Sequence, residues 1–263
     1  MLFVVTAVHN RYSITENFVK QLNGQTYKEF KLVLVDDGST DGTGEMVKNL
    51  MPDAKILTGD GNLWWGGALH KAYRWLLKNS CNTDFVMFMN DDTNFEADFL
   101  ENGIKLVKEY PDSLITGCGY SLNSGEQIDG AVEFFPATGT YKLHKGNAHS
   151  NCTSTRALIM TQPIMKKIGG FHPVLLPHYA SDYEYTIRAG RKGIDIKAFE
   201  EFNYRFDEKT TGNRNPKNAT LKQIFSKRSV FNPIYRISYI FMVTPLRYLP
   251  QHLLSQIKRY IKH

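Results

Sequence analysis

Apolar residues in this chain fall into two kinds of run. Continuous apolar blocks stand at 2–8, 31–35, 85–89, 114–120, 155–160 and 194–199, with a shorter one at 54–57. Between them apolar residues recur at helical spacing, as in Ile14, Phe18 and Leu22, or Leu69, Ala72, Tyr73 and Leu76. Short continuous blocks read as buried strands, and the 3.6-residue repeat reads as helices packed on them. Their alternation predicts an α/β domain: a mostly parallel central sheet, right-handed crossovers and helices on both faces. Ser13-x-x-Glu16 and Ser181-x-x-Glu184 read as capping boxes, and Pro163 suits a helix start. Residues 121–150 are rich in turn formers. Their strand-like pieces, 132–135 and 140–143, predict a small hairpin.

Two of the blocks end in acids. The block at 31–35 runs into Asp36-Asp37-Gly38-Ser39-Thr40-Asp41, and that at 85–89 into Asn90-Asp91-Asp92. Ligands of open α/β sheets bind beyond the carboxyl ends of the strands. Adjacent carboxylates there repel unless a cation joins them, and hard oxygen ligands suit Mg²⁺ or Mn²⁺. The plainer readings are a solvated turn at 90–92 and an Asx turn at 36–37 that caps the next helix. A third loop, Gly59 to Gly67 with Trp64 and Trp65, opens the helix that follows it.

Charge divides the chain. Residues 209–263 hold eleven of the 32 Lys and Arg and none of the 26 Asp and Glu, leaving 21 basic against 26 acidic residues elsewhere. A mildly acidic body, 1–209, carries a basic, aromatic tail, 210–263. In the tail Leu253, Leu254, Ile257 and Ile261 repeat at helical spacing beside Lys258, Arg259 and Lys262. Such a tail suits an anionic membrane surface; a helical cap packed on the domain is the simpler alternative. No nucleic-acid module accompanies the basic residues, so no nucleic acid is expected. Cys81, Cys118 and Cys152 form no metal motif, and an odd, sparse set points to reduced thiols and a cytoplasmic setting. No basic leader precedes the first block, and no apolar stretch approaches the ~20 residues of a membrane span.

The series of strand, Asn10-Arg11, helix, strand, Asp36-Asp37-Gly38-Ser39-Thr40-Asp41-Gly42-Thr43, then strand and Asn90-Asp91-Asp92, resembles the family 2 glycosyltransferases of GT-A, Rossmann-like fold. The likeness covers roughly residues 2–200. Asn90-Asp91-Asp92 resembles the family's DxD element with Asn in first place. Gly61-Asn62-Leu63-Trp64-Trp65-Gly66-Gly67 resembles the loop that rhamnosyl- and galactofuranosyl-type members place under the nucleotide sugar. Gly169-Gly170-Phe171-His172-Pro173 with Ser181-Asp182-Tyr183-Glu184 resembles the acceptor-side segment that carries the catalytic base.

The resemblance implies a nucleoside-diphosphate sugar donor, UDP or dTDP, and an inverting, metal-dependent hexosyl transfer. Thr6, Ala7 and Val8 would line the base pocket, and Asp36 and Asp37 would accept from base and ribose. Asn10, Arg11, Gly61, Asn62, Trp65, Gly66, Gly67, Asn90 and Asp91 would complete the nucleotide-sugar site, with Asp92 on the metal and Asp182 as base. The family often has Glu-Asp at the base; here Ser181 precedes Asp182, and Glu184 is the candidate partner acid. Some members take a third metal ligand after the last strand, where this chain offers Asp207. His172 and His178 would flank the acceptor. The implied setting is cell-surface glycan synthesis on a glycan or lipid-linked acceptor, at the inner face of the plasma membrane. Two rivals remain. A sugar-nucleotide nucleotidyltransferase is disfavoured by the lack of a Gly-rich, Lys- or Arg-bearing loop after the first strand. A non-catalytic nucleotide-sugar-binding module is the other.

Overall fold

The apolar blocks form the strands they predict. The structure is a computed structural model that describes residues 1–210, 220–227 and 229–261. Leu2–Val8 (β1), Phe30–Asp36 (β2), Lys55–Thr58 (β3) and Phe85–Met89 (β4) pair in parallel in the order β3-β2-β1-β4. Helices Tyr12–Asn23 (α1), Thr43–Leu50 (α2) and Trp64–Asn79 (α3) connect them.

The second half extends the same sheet. After Thr93–Asn94 (β5) and the helix Phe99–Glu109 (α4) come Leu114–Ser121 (β6) and the short Gln127–Asp129 (β7). Val132–Phe135 (β8) and Thr140–Leu143 (β9) form the expected hairpin, separate from the main sheet. Ala148–Ser150 (β10) and Ala157–Thr161 (β11) follow, then helices Gln162–Ile168 (α5) and Ser181–Arg191 (α6), and strand Ile196–Phe206 (β12). β11 lies antiparallel between β4 and β6, and β12 runs parallel to β6. The last strand runs on to Phe206, beyond the expected end at Phe199, through a register shift between Phe199 and Asn203.

Alternation along the strands sorts the core into two layers. Leu2, Val4 and Val8 pack with Phe18, Leu22, Met46, Val47 and Ile104 on the α1, α2 and α4 side. Phe3 and Val5 pack with Leu69, Ala72, Leu76, Met165 and Tyr185 on the α3, α5 and α6 side. A sheet covered on both faces has strands apolar on both faces, which is why these blocks are continuous.

Neither expected capping box forms. Helix α1 begins at Tyr12, whose N–H donates to Asp41 Oδ2 at 3.0 Å, so the cap comes from the Asp36–Thr43 loop. Helix α6 begins at Ser181 itself; its hydroxyl donates to the His178 carbonyl at 2.8 Å, and Glu184 pairs with Arg188 at 2.8 Å.

The tail packs on the body. Leu221–Ile224 (α7), Pro233–Val243 (α8) and Leu249–Ile261 (α9) are its helices, and Asn232 caps α8 by accepting from Ile234 N–H at 3.0 Å. Val243, Tyr239 and Met242 join Val132, Phe134 and Ile187 in a small core, and Arg191 donates to the Met242 and Val243 carbonyls. Ile234, Ile237, Phe241, Leu246, Leu254 and Ile257 remain exposed. Of the basic residues counted above, Arg214, Lys217, Arg228 and Lys262 lie outside the described residues. No helix among the described residues is long and apolar enough to cross a membrane.

Candidate active site

The carboxyl ends of β1, β2 and β4 open onto a cleft of about 530 Å³. Ala7, Val8, Arg11, Asp37, Gly61, Trp65, Asn90, Asp91, Asp92 and Asp182 line it, so most of the expected site residues come together. Thr6, Asn10, Asp36, Asn62, Gly66 and Gly67 are absent from its lining.

Asp37 builds the floor. Its Oδ1 accepts from Gly61 N–H at 2.9 Å, and its Oδ2 from Leu63 and Trp64 N–H at 2.9 and 3.0 Å. This one carboxylate therefore caps α3 and fixes the 59–64 loop. Asp36 turns inward and accepts from Ser39 N–H at 2.8 Å, the Asx-type contact expected of it. Gly66 lies under the loop that precedes α6: a Cβ there would stand 2.4 Å from the Leu176 carbonyl oxygen, and Gly66 N–H donates to Pro177 O at 2.8 Å. Its role in the structure is to let the loop that leads into α6, the helix of Asp182, lie against the start of α3, where the tryptophans stand.

Among the described residues three non-glycine positions have a left-handed backbone: Asn10 at φ 51°, Trp64 at φ 58° and Ala180 at φ 63°. Trp64 and Ala180 line the cleft, and Asn10 sits between His9 and Arg11, which do. Strain of this kind persists where surrounding structure enforces it, commonly at functional sites. The Trp65 indole N–H is spent on Thr155 Oγ1 at 3.1 Å.

The two acids at the end of β4 have different surroundings. Asp91 is buried and accepts from Arg11 Nε at 3.0 Å and Thr15 Oγ1 at 2.8 Å. Burial pushes its carboxyl up, against the pull of Arg11. Asp92 faces the cleft and pairs with Arg156 Nη1, with Arg11 Nη2 at 3.7 Å.

A second cleft of about 890 Å³ lies between the body and the tail, lined in part by Tyr141, Tyr183, Tyr235 and Tyr239. It shares Asp129, Ser154, Arg156, Tyr179, Ala180 and Asp182 with the first, so Asp182 stands where the two meet. Burial, with the nearby charge of Asp129, raises the Asp182 carboxyl to about 6.

Asp129 and Arg156 carry no motif and escaped the sequence reading. Asp129 accepts from Ser154 Oγ at 2.8 Å and Tyr204 OH at 2.9 Å, and its Oδ2 lies 3.6 Å from Arg156 Nε. Asp129 lines both clefts together with Asp182, whereas Glu184 lines neither. Asp207 also lines neither, and it accepts from Asn123 Nδ2 at 2.8 Å. His178 lines the first cleft against Trp64, whose ring centre is 5.5 Å away, while His172 lies 3.8 Å from Glu184.

The donor set can be tested against a divalent ion. Among the described residues no three His, Cys, Asp or Glu converge into a closed metal cage. Asp91, Asp92, Asp129 and Asp182 line one cleft with two guanidiniums, Arg11 and Arg156. An acidic cleft with a carboxylate on its wall fits Mg²⁺ or Mn²⁺ held by one or two carboxylates and completed by substrate phosphates.

The model of glycosyl transferase family 2 matches residues 3–167, and the chain belongs to that family. It is 31% identical over 124 residues to glycosyltransferase GlyA of Streptococcus pneumoniae serotype 4; the match covers 47% of this chain and 17% of that protein. Three solved structures share the fold. The mannosyltransferase PcManGT of Pyrobaculum calidifontis, in complex with GDP-Man and Mn²⁺, has a TM-score of 0.58 at 15% identity, over all of this chain and 64% of that one. GalNAc-T7 with UDP, GalNAc and Mn²⁺ scores 0.67 at 10% identity, over 92% of this chain and 47% of its own. TarS of S. aureus, residues 1–349, scores 0.57 at 19% identity, over 78% and 60%. This chain thus spans less than two thirds of each. The architecture is the GT-A fold.

Proposed function

We propose that this protein is an inverting, metal-dependent glycosyltransferase that moves a hexosyl or deoxyhexosyl group from a nucleoside-diphosphate sugar to a glycan or lipid-linked glycan. The observation that carries the reading is Asp182 at the junction of two clefts, one walled by Asp37 and Asp92, the other by tyrosines. The mannosyltransferase and GalNAc-T7 structures, solved with nucleotide or nucleotide sugar and Mn²⁺, support donor and ion classes of this kind.

In this reading the donor lies in the smaller cleft, its base against Ala7 and Val8 and beside the loop that Asp37 holds. Asp92 would hold Mg²⁺ or Mn²⁺ together with the diphosphate; when bound, the ion neutralises charge that develops on the leaving group. Asn90 would hydrogen-bond the ribose. The acceptor enters from the tyrosine-lined cleft. Asp182 takes the proton from its attacking hydroxyl, on the side away from the leaving group, and a carboxyl raised to about 6 suits a general base at neutral pH. The exposed apolar residues of α8 and α9, with the basic residues of the tail, would rest on an anionic membrane, at the cytoplasmic face in a surface-polysaccharide pathway.

The test is nucleoside diphosphate release from UDP-, dTDP- and GDP-sugars, in Mn²⁺ or chelator, for the wild type and Asp92→Ala. Slow, metal-dependent release from one donor, lost in the variant, is expected. Absence of release and of nucleotide binding would contradict the reading.

A further inference from the structure

We infer that Arg156 is a ligand of the donor's diphosphate, a fixed cation beside the leaving group. The inference rests on the nucleotide-sugar reading above and deepens it.

Arg156 is locked in place by its backbone. Its carbonyl accepts from Asn90 N–H at 3.1 Å, just where Ala157 on β11 pairs with Met89 on β4. That register sets the side chain at the carboxyl end of β4, where ligands of such sheets bind. The residue is only 8% exposed, yet it lines both clefts.

A buried guanidinium needs partners. Nη1 pairs with Asp92, Nε lies 3.6 Å from Asp129, and the group sits 4.0 Å above the Phe206 ring. These contacts fix its plane. They engage Nε and Nη1; among the described residues Nη2 makes no hydrogen bond. A planar guanidinium held on two sides and open on the third is suited to oxyanions, which it binds in bidentate fashion. Its neighbour Asp92 is the residue that would carry the divalent ion, so cation and ion would meet the same diphosphate. Tyr204 and Ser154 hydrogen-bond Asp129, a positioning residue that in turn holds the guanidinium. The bland alternative makes Arg156 a counter-ion of Asp92 and Asp129 with no ligand of its own, and it predicts a different pattern of binding.

The experiment is calorimetric titration with UDP, dTDP and GDP, and with uridine, thymidine and guanosine, in chelator and in Mn²⁺. The proteins are the wild type, Arg156→Met and Arg156→Lys, each checked for native thermal unfolding. Arg156→Met should weaken the diphosphate that the wild type binds by tenfold or more, most in chelator, and leave the nucleoside unchanged. Arg156→Lys, which keeps the charge without the fork, should lose less, and it decides the question alone if the Met variant does not fold. Equal loss for diphosphate and nucleoside, or no loss for either, overturns the inference while the nucleotide-sugar reading stands. A wild type that binds none of the three diphosphates overturns both.

Discussion

Asp129 and Asp182 both line the two clefts, and burial together with the Asp129 charge lifts the Asp182 carboxyl to about 6. A general base works only when deprotonated, so turnover should rise with pH through about 6. Arg156 pulls the other way. Replacing Asp129 by Asn removes a repelling charge and makes the Asp182 anion easier to form. The acid limb of the kcat/KM profile should then move down by about one pH unit. A profile that stays in place would separate the two acids.

Asp37 holds three backbone N–H groups of the 61–64 segment. Asp37→Ala leaves them without that acceptor at the start of α3. Hydrogen bonds to a charged acceptor contribute more than neutral ones, so the variant should lose about 2–4 kcal/mol in urea unfolding. Nucleotide affinity should fall with it, because Gly61 and Trp64 line the cleft proposed to hold the donor.

Two adjacent glycines give a contrast that measures the loop contact. A Cβ at Gly66 meets the Leu176 carbonyl oxygen at 2.4 Å, whereas one at Gly67 meets Leu63 Cβ at 3.4 Å. Gly66→Ala should push back the loop that leads into α6 and displace Asp182, lowering kcat on the order of 10–100-fold. Gly67→Ala should cost little. Equal effects would mean that the loop contact does not position the base.

The exposed Phe241 and Leu246 offer a direct check on the tail. The wild type should sediment with vesicles that contain phosphatidylglycerol, less so at high salt. Phe241→Glu with Leu246→Glu should lower the bound fraction several-fold and leave donor hydrolysis unchanged. Binding insensitive to both salt and substitution would place the membrane contact elsewhere.

What could be read along the chain, and what could not, follows from how local each signal is. Strands β1, β2 and β4 are continuous apolar blocks ending in acids, so Asp37, Asp91, Asp92 and their shared cleft were legible. Asp182 was legible through its segment's resemblance to a known one. Asp129, Ser154, Arg156 and Tyr204 were not: they come from β7, the turn before β11 and the extended end of β12, and only strand pairing brings them together. The register shift in β12 hid Tyr204 and Phe206 in what reads as a loop. The capping boxes failed for a related reason. Ser-x-x-Glu is a weak local pattern: α1 is capped by a tertiary partner, Asp41, and Glu184 pairs with Arg188 one turn further along its own helix.

In the proposed mechanism Asp182 deprotonates the attacking hydroxyl opposite the leaving group. NMR of the first-formed product from whichever donor is turned over, for the wild type and Asp182→Asn, tests it most directly. A product inverted at the anomeric carbon is expected. Asp182→Asn should lose about 10²–10⁴-fold in rate, with nucleotide affinity unchanged. A product of retained configuration, or a variant that turns over at the wild-type rate, would contradict it.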